Sequence, residues 1–168
     1  MTSPAIVLIG PMGAGKTSIG KRVAKRLGVT FYDSDVAVVR AHGPIEALFS
    51  THGEEHFRAL ERAAVHAGLA QGGIVALGGG AVLHPDTQAE LAGHHVVLLT
   101  VSPHTVGSRI RGSKRPLLHG EDPIARWREV FESRRELYEQ LADVTFDTST
   151  GPLQDVVDAI TDWVQENT

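Results

Sequence analysis

The chain has 168 residues, 42% of them hydrophobic, with 16 Lys plus Arg against 20 Asp plus Glu and no cysteine. That is enough chain and enough apolar content for one domain with a sizeable core, which excludes intrinsic disorder. The net charge of −4 argues against a general nucleic-acid binder, and the lack of cysteine excludes a disulfide framework, a thiolate nucleophile and a Cys-based metal site. In chain order, the opening MTSPAIVLIG carries no basic n-region, and its apolar run is far too short for a signal peptide or a membrane span. A soluble cytoplasmic protein with no membrane partner is the expectation. Residues 5–9, 30–32, 74–77, 95–101 and 144–146 read as buried strands. Helical spacings lie between them, such as Ile19/Val23/Leu27 and Leu60/Ala64/Leu69, so the pattern predicts an α/β fold with a parallel sheet. Residues 36–71 are too long for one crossover helix and read as an inserted helical subdomain. No linker or internal repeat divides the chain.

The loop after the first predicted strand, Gly10-Pro11-Met12-Gly13-Ala14-Gly15-Lys16-Thr17, fits G-x-x-x-x-G-K-[ST]. A phosphate chain must lie against backbone N–H groups there, and side chains would block it; glycine also adopts positive φ at little cost. The helix that follows points its positive end at the anion. Lys16 is placed to reach the β- and γ-phosphates, and Thr17 to offer a hydroxyl to Mg²⁺. Gly13, Ala14, Gly15, Lys16, Thr17 and Ser18 are therefore the expected ATP contacts. A GTPase would need N-K-x-D, which the chain lacks, and motors need more chain; a small-molecule kinase fits best.

FYDSDVAVV puts Asp33 and Asp35 at the end of the second predicted strand, where i and i+2 share a face and ligands of open α/β sheets bind. One carboxylate can orient water on Mg²⁺ opposite Thr17, and the other can accept a substrate hydroxyl and its proton. The same residues also suit a plain helix start capped by Ser34 or Asp35.

The P-loop, the D-x-D, GPIEALFSTHGEEHFRALE, LGGGAV, KRPLL and RRELY follow one another at intervals that resemble the shikimate kinase family, from about residue 7 to residue 152. The resemblance implies a P-loop NTPase-type three-layer sandwich with five parallel strands in the order 2-3-1-4-5. It also implies a substrate-binding helical lobe at about 36–71, a lid at about 112–124, and a monomer working in aromatic amino-acid synthesis. The implied reaction is transfer of the ATP γ-phosphate to the 3-hydroxyl of shikimate. Carried over by motif, Asp33 supports Mg²⁺ through water and Asp35 holds substrate hydroxyls and acts as base. Arg58 and Arg134 bind the substrate carboxylate, and Gly78, Gly79 and Gly80 lay backbone against the substrate. Lys16 and the lid residue Arg115 stabilise the transferred phosphoryl group, and Arg111 and Pro152 lie where the family grips adenine. The chemistry agrees, because arginine binds carboxylate bidentately and Phe49 and Phe57 suit the apolar face of a ring. Taken by itself, Arg58 also suits a helix-surface pair with Glu54 or Glu61.

Two positions depart from the family pattern. Ala76 stands where Ser or Thr is frequent, which leaves a metal more dependent on Thr17, Asp33 and water, and Glu136 replaces a frequent proline. His52 and His56 lack the H-E-x-x-H order of a zinc hydrolase, because Gly53 follows the first. Rival readings are a gluconate kinase or nucleoside-monophosphate kinase, and an ATP-dependent regulator that does no chemistry.

Overall fold

The computed structural model describes residues 3–110 and 122–168. Arg111, Arg115 and most of the expected lid lie outside the described residues. The first strand, β1 (Ile6–Ile9), is buried along its whole length, as a strand covered on both faces must be. It leads through the glycine-rich loop into α1 (Lys16–Leu27), which buries Ile19, Val23 and Ala24. The remaining elements are β2 (Phe31–Asp33), α2 (Ser34–His42), α3 (Ile45–His52), α4 (Glu54–Gln71), β3 (Ile74–Ala76), α5 (Pro85–Leu91), β4 (His95–Thr100), α6 (Pro103–Ile110), α7 (Pro123–Leu141), β5 (Val144–Asp147) and α8 (Leu153–Asn167).

The five strands form one sheet in the order β2-β3-β1-β4-β5, with every pairing parallel. Right-handed crossovers then place α1 and α8 on one face and α4, α5 and α7 on the other. The contacts of α1 with α8 and of α4 with α5 agree. A continuous core of strand residues joins both layers, and Trp127 and Tyr138 of α7 are among its largest buried side chains.

The expected helical subdomain at 36–71 is built of three helices, the first of which begins at Ser34. Gly43 and Pro44 separate α2 from α3, and Gly53 ends α3 and begins α4. These helices close on a small second cluster of Val38, Leu48 and Phe57. The last expected lid residues, Pro123 and Ile124, belong to the first turn of α7, where proline suits the N1 position and Asp122 caps it by accepting from the Ala125 N–H at 3.0 Å.

Gly10 leaves β1 at φ +141°, and a Cβ there would lie 2.1 Å from the Leu99 carbonyl oxygen of β4. Only glycine lets the phosphate loop start so close to the neighbouring strand. The other end of β1 is fixed by a side chain: the Ala5 N–H donates to His94 Nδ1 at 2.8 Å.

That imidazole accepts only while Nδ1 is unprotonated. Burial lowers the His94 pKa, with Glu90 acting against this and His95 with it. A base whose folded pKa lies below its unfolded value contributes stability that is complete above the unfolded value of about 6.5 and is lost as pH falls through the folded one. Urea titrations between about pH 7 and about pH 5 should therefore show wild-type stability falling more steeply than that of His94→Asn, whose Oδ1 accepts the bond without titrating. Equal slopes would rule the interaction out as a pH-dependent contribution.

Candidate active site

The phosphate loop is tied down carbonyl by carbonyl. Lys16 Nζ donates to the Gly10 and Pro11 oxygens at 2.6 and 3.0 Å. Trp127 Nε1 donates to the Met12 oxygen at 2.7 Å, and Arg109 Nη1 to the Gly13 oxygen at 2.7 Å. The Thr148 hydroxyl lies 3.0 Å from the Ala14 oxygen, and its own backbone N–H is anchored on the Thr100 oxygen at 2.8 Å. Beside the loop, Thr17 Oγ1 donates to Asp33 Oδ2 at 2.6 Å. Gly13, Gly15, Lys16, Thr17, Ser18, Asp33 and Asp35 line one cleft together with Ala76, Arg109 and Leu153.

A second cleft adjoins the first and shares Met12, Asp35 and Gly79 with it. Arg58 and Arg134 enter it from α4 and α7, and Phe49 and Phe57, with ring centroids 5.0 Å apart, form one wall. Gly79 and Gly80, from the run Gly78–Gly80 after β3, form its floor. A Cβ on Gly78 would lie 2.5 Å from Asp35 Oδ1, and one on Gly80 2.5 Å from Arg58 Nη1. At Gly78 and Gly80 the charged side chains of two other elements thus rest on the backbone where a Cβ would sit.

Arg58 pairs with Glu61 at 2.8 Å and with Glu54 at 3.4 Å, while its side chain is four-fifths buried. The expected surface pairs and the expected pocket position thus coexist. Burial pushes the Glu61 carboxyl above the ordinary carboxylate range; the Arg58 guanidinium opposes this and Asp35 adds to it. For Arg58 itself burial favours the neutral form, but Glu61 and Glu54 outweigh it and hold the guanidinium charged. Burial raises the Tyr138 phenol, which stays a donor and gives its proton to the Gly79 oxygen at 2.6 Å.

A family model described as shikimate kinase matches residues 12–165. The chain is 44% identical over 168 residues to the shikimate kinase of Streptomyces avermitilis, covering 98% of each chain. It is 46% identical over 149 residues to that of Thermobifida fusca, covering 87% of this chain and 86% of the relative. A structure of the Acinetobacter baumannii shikimate kinase in complex with shikimate superposes with a TM-score of 0.93 at 33% identity, over 99% of this chain and 96% of that one. The chain belongs to the shikimate kinase family.

Within this shikimate kinase fold, the structure gathers Lys16, Thr17, Asp33, Asp35, Arg58, Gly78, Gly79, Gly80 and Arg134 at the carboxyl ends of β1, β2 and β3. Strand alternation is not what aligns the two aspartates. The strand ends at Asp33, whose side chain caps α2 by accepting from the Asp35 and Val36 N–H groups at 2.9 and 3.1 Å. The cap is therefore Asp33 and not Ser34 or Asp35, and Asp35 reaches the cleft from the first helical turn. Ser34 is buried and accepts from the Gly78 N–H at 3.0 Å, fixing the glycine run. Pro152 is the exposed N-cap residue of α8, and the next residue, Leu153, lines the phosphate cleft.

Three residues of the site escaped sequence reasoning, Arg109, Trp127 and Thr148, while Glu61 was legible only as a pairing partner of Arg58, from its i+3 spacing. For the Tyr138–Gly79 bond, removing the hydroxyl leaves a partly buried carbonyl without its donor, so Tyr138→Phe should lower stability by about 1 kcal/mol. A denaturant titration of that variant checks this, and an unchanged midpoint would mean that the glycine run does not depend on α7.

Proposed function

We propose that the chain catalyses transfer of the γ-phosphoryl group of ATP to the 3-hydroxyl of shikimate, as a cytoplasmic monomer in the shikimate route to the aromatic amino acids. The observation that carries the reading is the position of Asp35. It lines both clefts, between the phosphate loop on one side and the Arg58–Arg134 pair on the other. Shikimate has a carboxylate at one end and hydroxyls at the other. Arg58 and Arg134 suit the carboxylate, which leaves the hydroxyl end at Asp35 and beside the loop.

In this reading Asp35 orients the attacking hydroxyl and takes up its proton as the bond to phosphorus forms. The N–H groups of the loop bind the β-phosphate, and Lys16 moves from the Gly10 and Pro11 carbonyls onto the phosphates. Arg115 adds positive charge at the transferred group. Thr17 and Asp33 offer hard oxygen donors side by side, a set that suits Mg²⁺ completed by water, while Ala76 opposite Asp33 in the β2–β3 register adds no oxygen. When bound with the nucleotide, Mg²⁺ neutralises phosphate charge. Helices α2, α3 and α4 act as the substrate-binding lobe, the segment from residue 112 up to the start of α7 as the lid, and Arg109 with Leu153 as the candidate walls for the adenosine end.

A coupled assay with MgATP and a panel of acceptors tests the reading. Shikimate should be phosphorylated far faster than gluconate, AMP or CMP. If gluconate or a nucleotide were the best acceptor, the assignment of substrate would fail while the kinase class survived.

Loss of a charge-assisted contact costs about 1.5–3 kcal/mol. Arg58→Ala should therefore lower kcat/KM for shikimate roughly 10- to 150-fold while leaving ATP affinity nearly unchanged. Arg58→Lys should restore only part of the loss, since an ammonium lacks the planar fork. Unchanged shikimate kinetics in Arg58→Ala would leave Arg134 as the only arginine for the carboxylate.

A further inference from the structure

We propose that Trp127 is a positioning residue for the phosphate loop, holding the Met12 carbonyl away from the anion site so that the Gly13 N–H faces it. The inference rests on the nucleotide reading given above. In a trans peptide the carbonyl and the following N–H point in opposite directions, and the described residues contain no cis peptide. Each carbonyl drawn away from the anion site therefore turns the next N–H toward it. A carbonyl facing inward would instead set partial negative charge against phosphate.

Five consecutive carbonyls, from Gly10 to Ala14, have side-chain partners. Lys16 must leave its two when it moves onto the phosphates. The three that can stay bonded through the reaction belong to Met12, Gly13 and Ala14, held from α7, from α6 and from the turn after β5. Arg109 lines the phosphate cleft itself, so its role mixes contact with positioning. Trp127 does not line that cleft and acts on it only through Met12.

Trp127 is suited to a fixed tether. Its Nε1–H is a donor and never an acceptor, so the bond cannot reverse. The side chain is 2% exposed, and its ring packs against Phe131 at 5.3 Å between centroids. The short 2.7 Å bond to Met12 spans 115 positions of sequence. Trp127 also lines the acceptor cleft with its ring face. Phenylalanine keeps an aromatic face on that wall but removes part of the ring along with the N–H, so the change in ADP binding relative to AMP reports the lost bond and shikimate binding reports the altered wall.

The experiment measures magnesium-supported binding of ADP, AMP and shikimate to the full-length wild-type protein and to Trp127→Phe, by calorimetry or by competition. ADP places a β-phosphate in the loop and AMP does not. The expected result is ADP binding weakened roughly 5- to 10-fold with AMP within about twofold of wild type, while any change in shikimate binding reports the altered ring at the acceptor wall. A purely structural role would weaken ADP and AMP alike or neither, and either outcome overturns the proposal.

A second measurement does not depend on the variant folding. The chain has two tryptophans, so Trp163→Phe leaves Trp127 as the only one to report when tryptophan is excited selectively. Its emission should shift on adding ADP and stay constant on adding AMP; a shift common to both, or none, overturns the proposal. Wild-type protein that binds ADP but fails to phosphorylate shikimate would refute the proposed reaction and leave the Trp127 assignment intact.

Discussion

A backbone that must face an anion on one side has to dispose of its own carbonyls on the other. At the end of β1 this chain does so with side chains from three directions, Trp127, Arg109 and Thr148, together with the lysine of the loop itself. Glycine makes the loop's path possible, but glycine alone leaves it floppy and costs more ordering entropy than any other residue. Rigidity comes from the long-range tethers. The sheet order brings their bearers together: β4 lies beside β1, and β5 beside β4, so α6 and the turn after β5 end next to the loop.

The second cleft follows from the same economy. Its floor is again backbone, and its charges arrive from α2, α4 and α7. Two arginines and two carboxylates share a small and largely buried volume, and their net charge is near balance before any ligand enters. An anionic acceptor then meets an Arg58 that Glu61 and Glu54 already hold in place. Ordering that long guanidinium side chain on binding would otherwise cost conformational entropy. The buried Glu61 thus carries an electrostatic cost in the unliganded protein in exchange for a preset Arg58.

What could be read from the sequence was whatever depends on local conformation. The P-loop is legible because its spacing encodes a strand, a tight turn and a helix start within eight residues. The inner strands β1, β3 and β4 were legible for the same reason, as runs of buried apolar residues, whereas the edge strands β2 and β5 are only partly buried. Asp33 and Asp35 were legible as a pair, but the strand argument for them failed, because the chain turns helical directly after Asp33 and uses that side chain as the cap. The helical stretch at 36–71 was legible as helical, while its division rested on glycines that periodicity overlooks. Trp127 and Thr148 left no trace in the sequence. Each acts across more than a hundred positions, and a tryptophan or threonine at such a place is indistinguishable from an ordinary core or turn residue. Arg109 and Arg111 are two apart in the sequence, and only the path of α6 shows that Arg109 faces the loop; Arg111 lies outside the described residues.

Helix α7 carries Trp127, Arg134 and Tyr138, spaced by seven and then four residues. At about 100° per residue, seven and eleven steps are nearly two and three whole turns, so all three project from one side. Trp127 meets the donor loop, Arg134 enters the acceptor cleft, and Tyr138 grips the glycine floor. The separation between the two ligands is therefore stored as the phase of a single helix. A substitution on the outer surface of α7 leaves that phase alone. Inserting or deleting one residue between 127 and 138 rotates one end against the other by about 100° and uncouples the donor loop from the acceptor cleft, even where every catalytic side chain is retained.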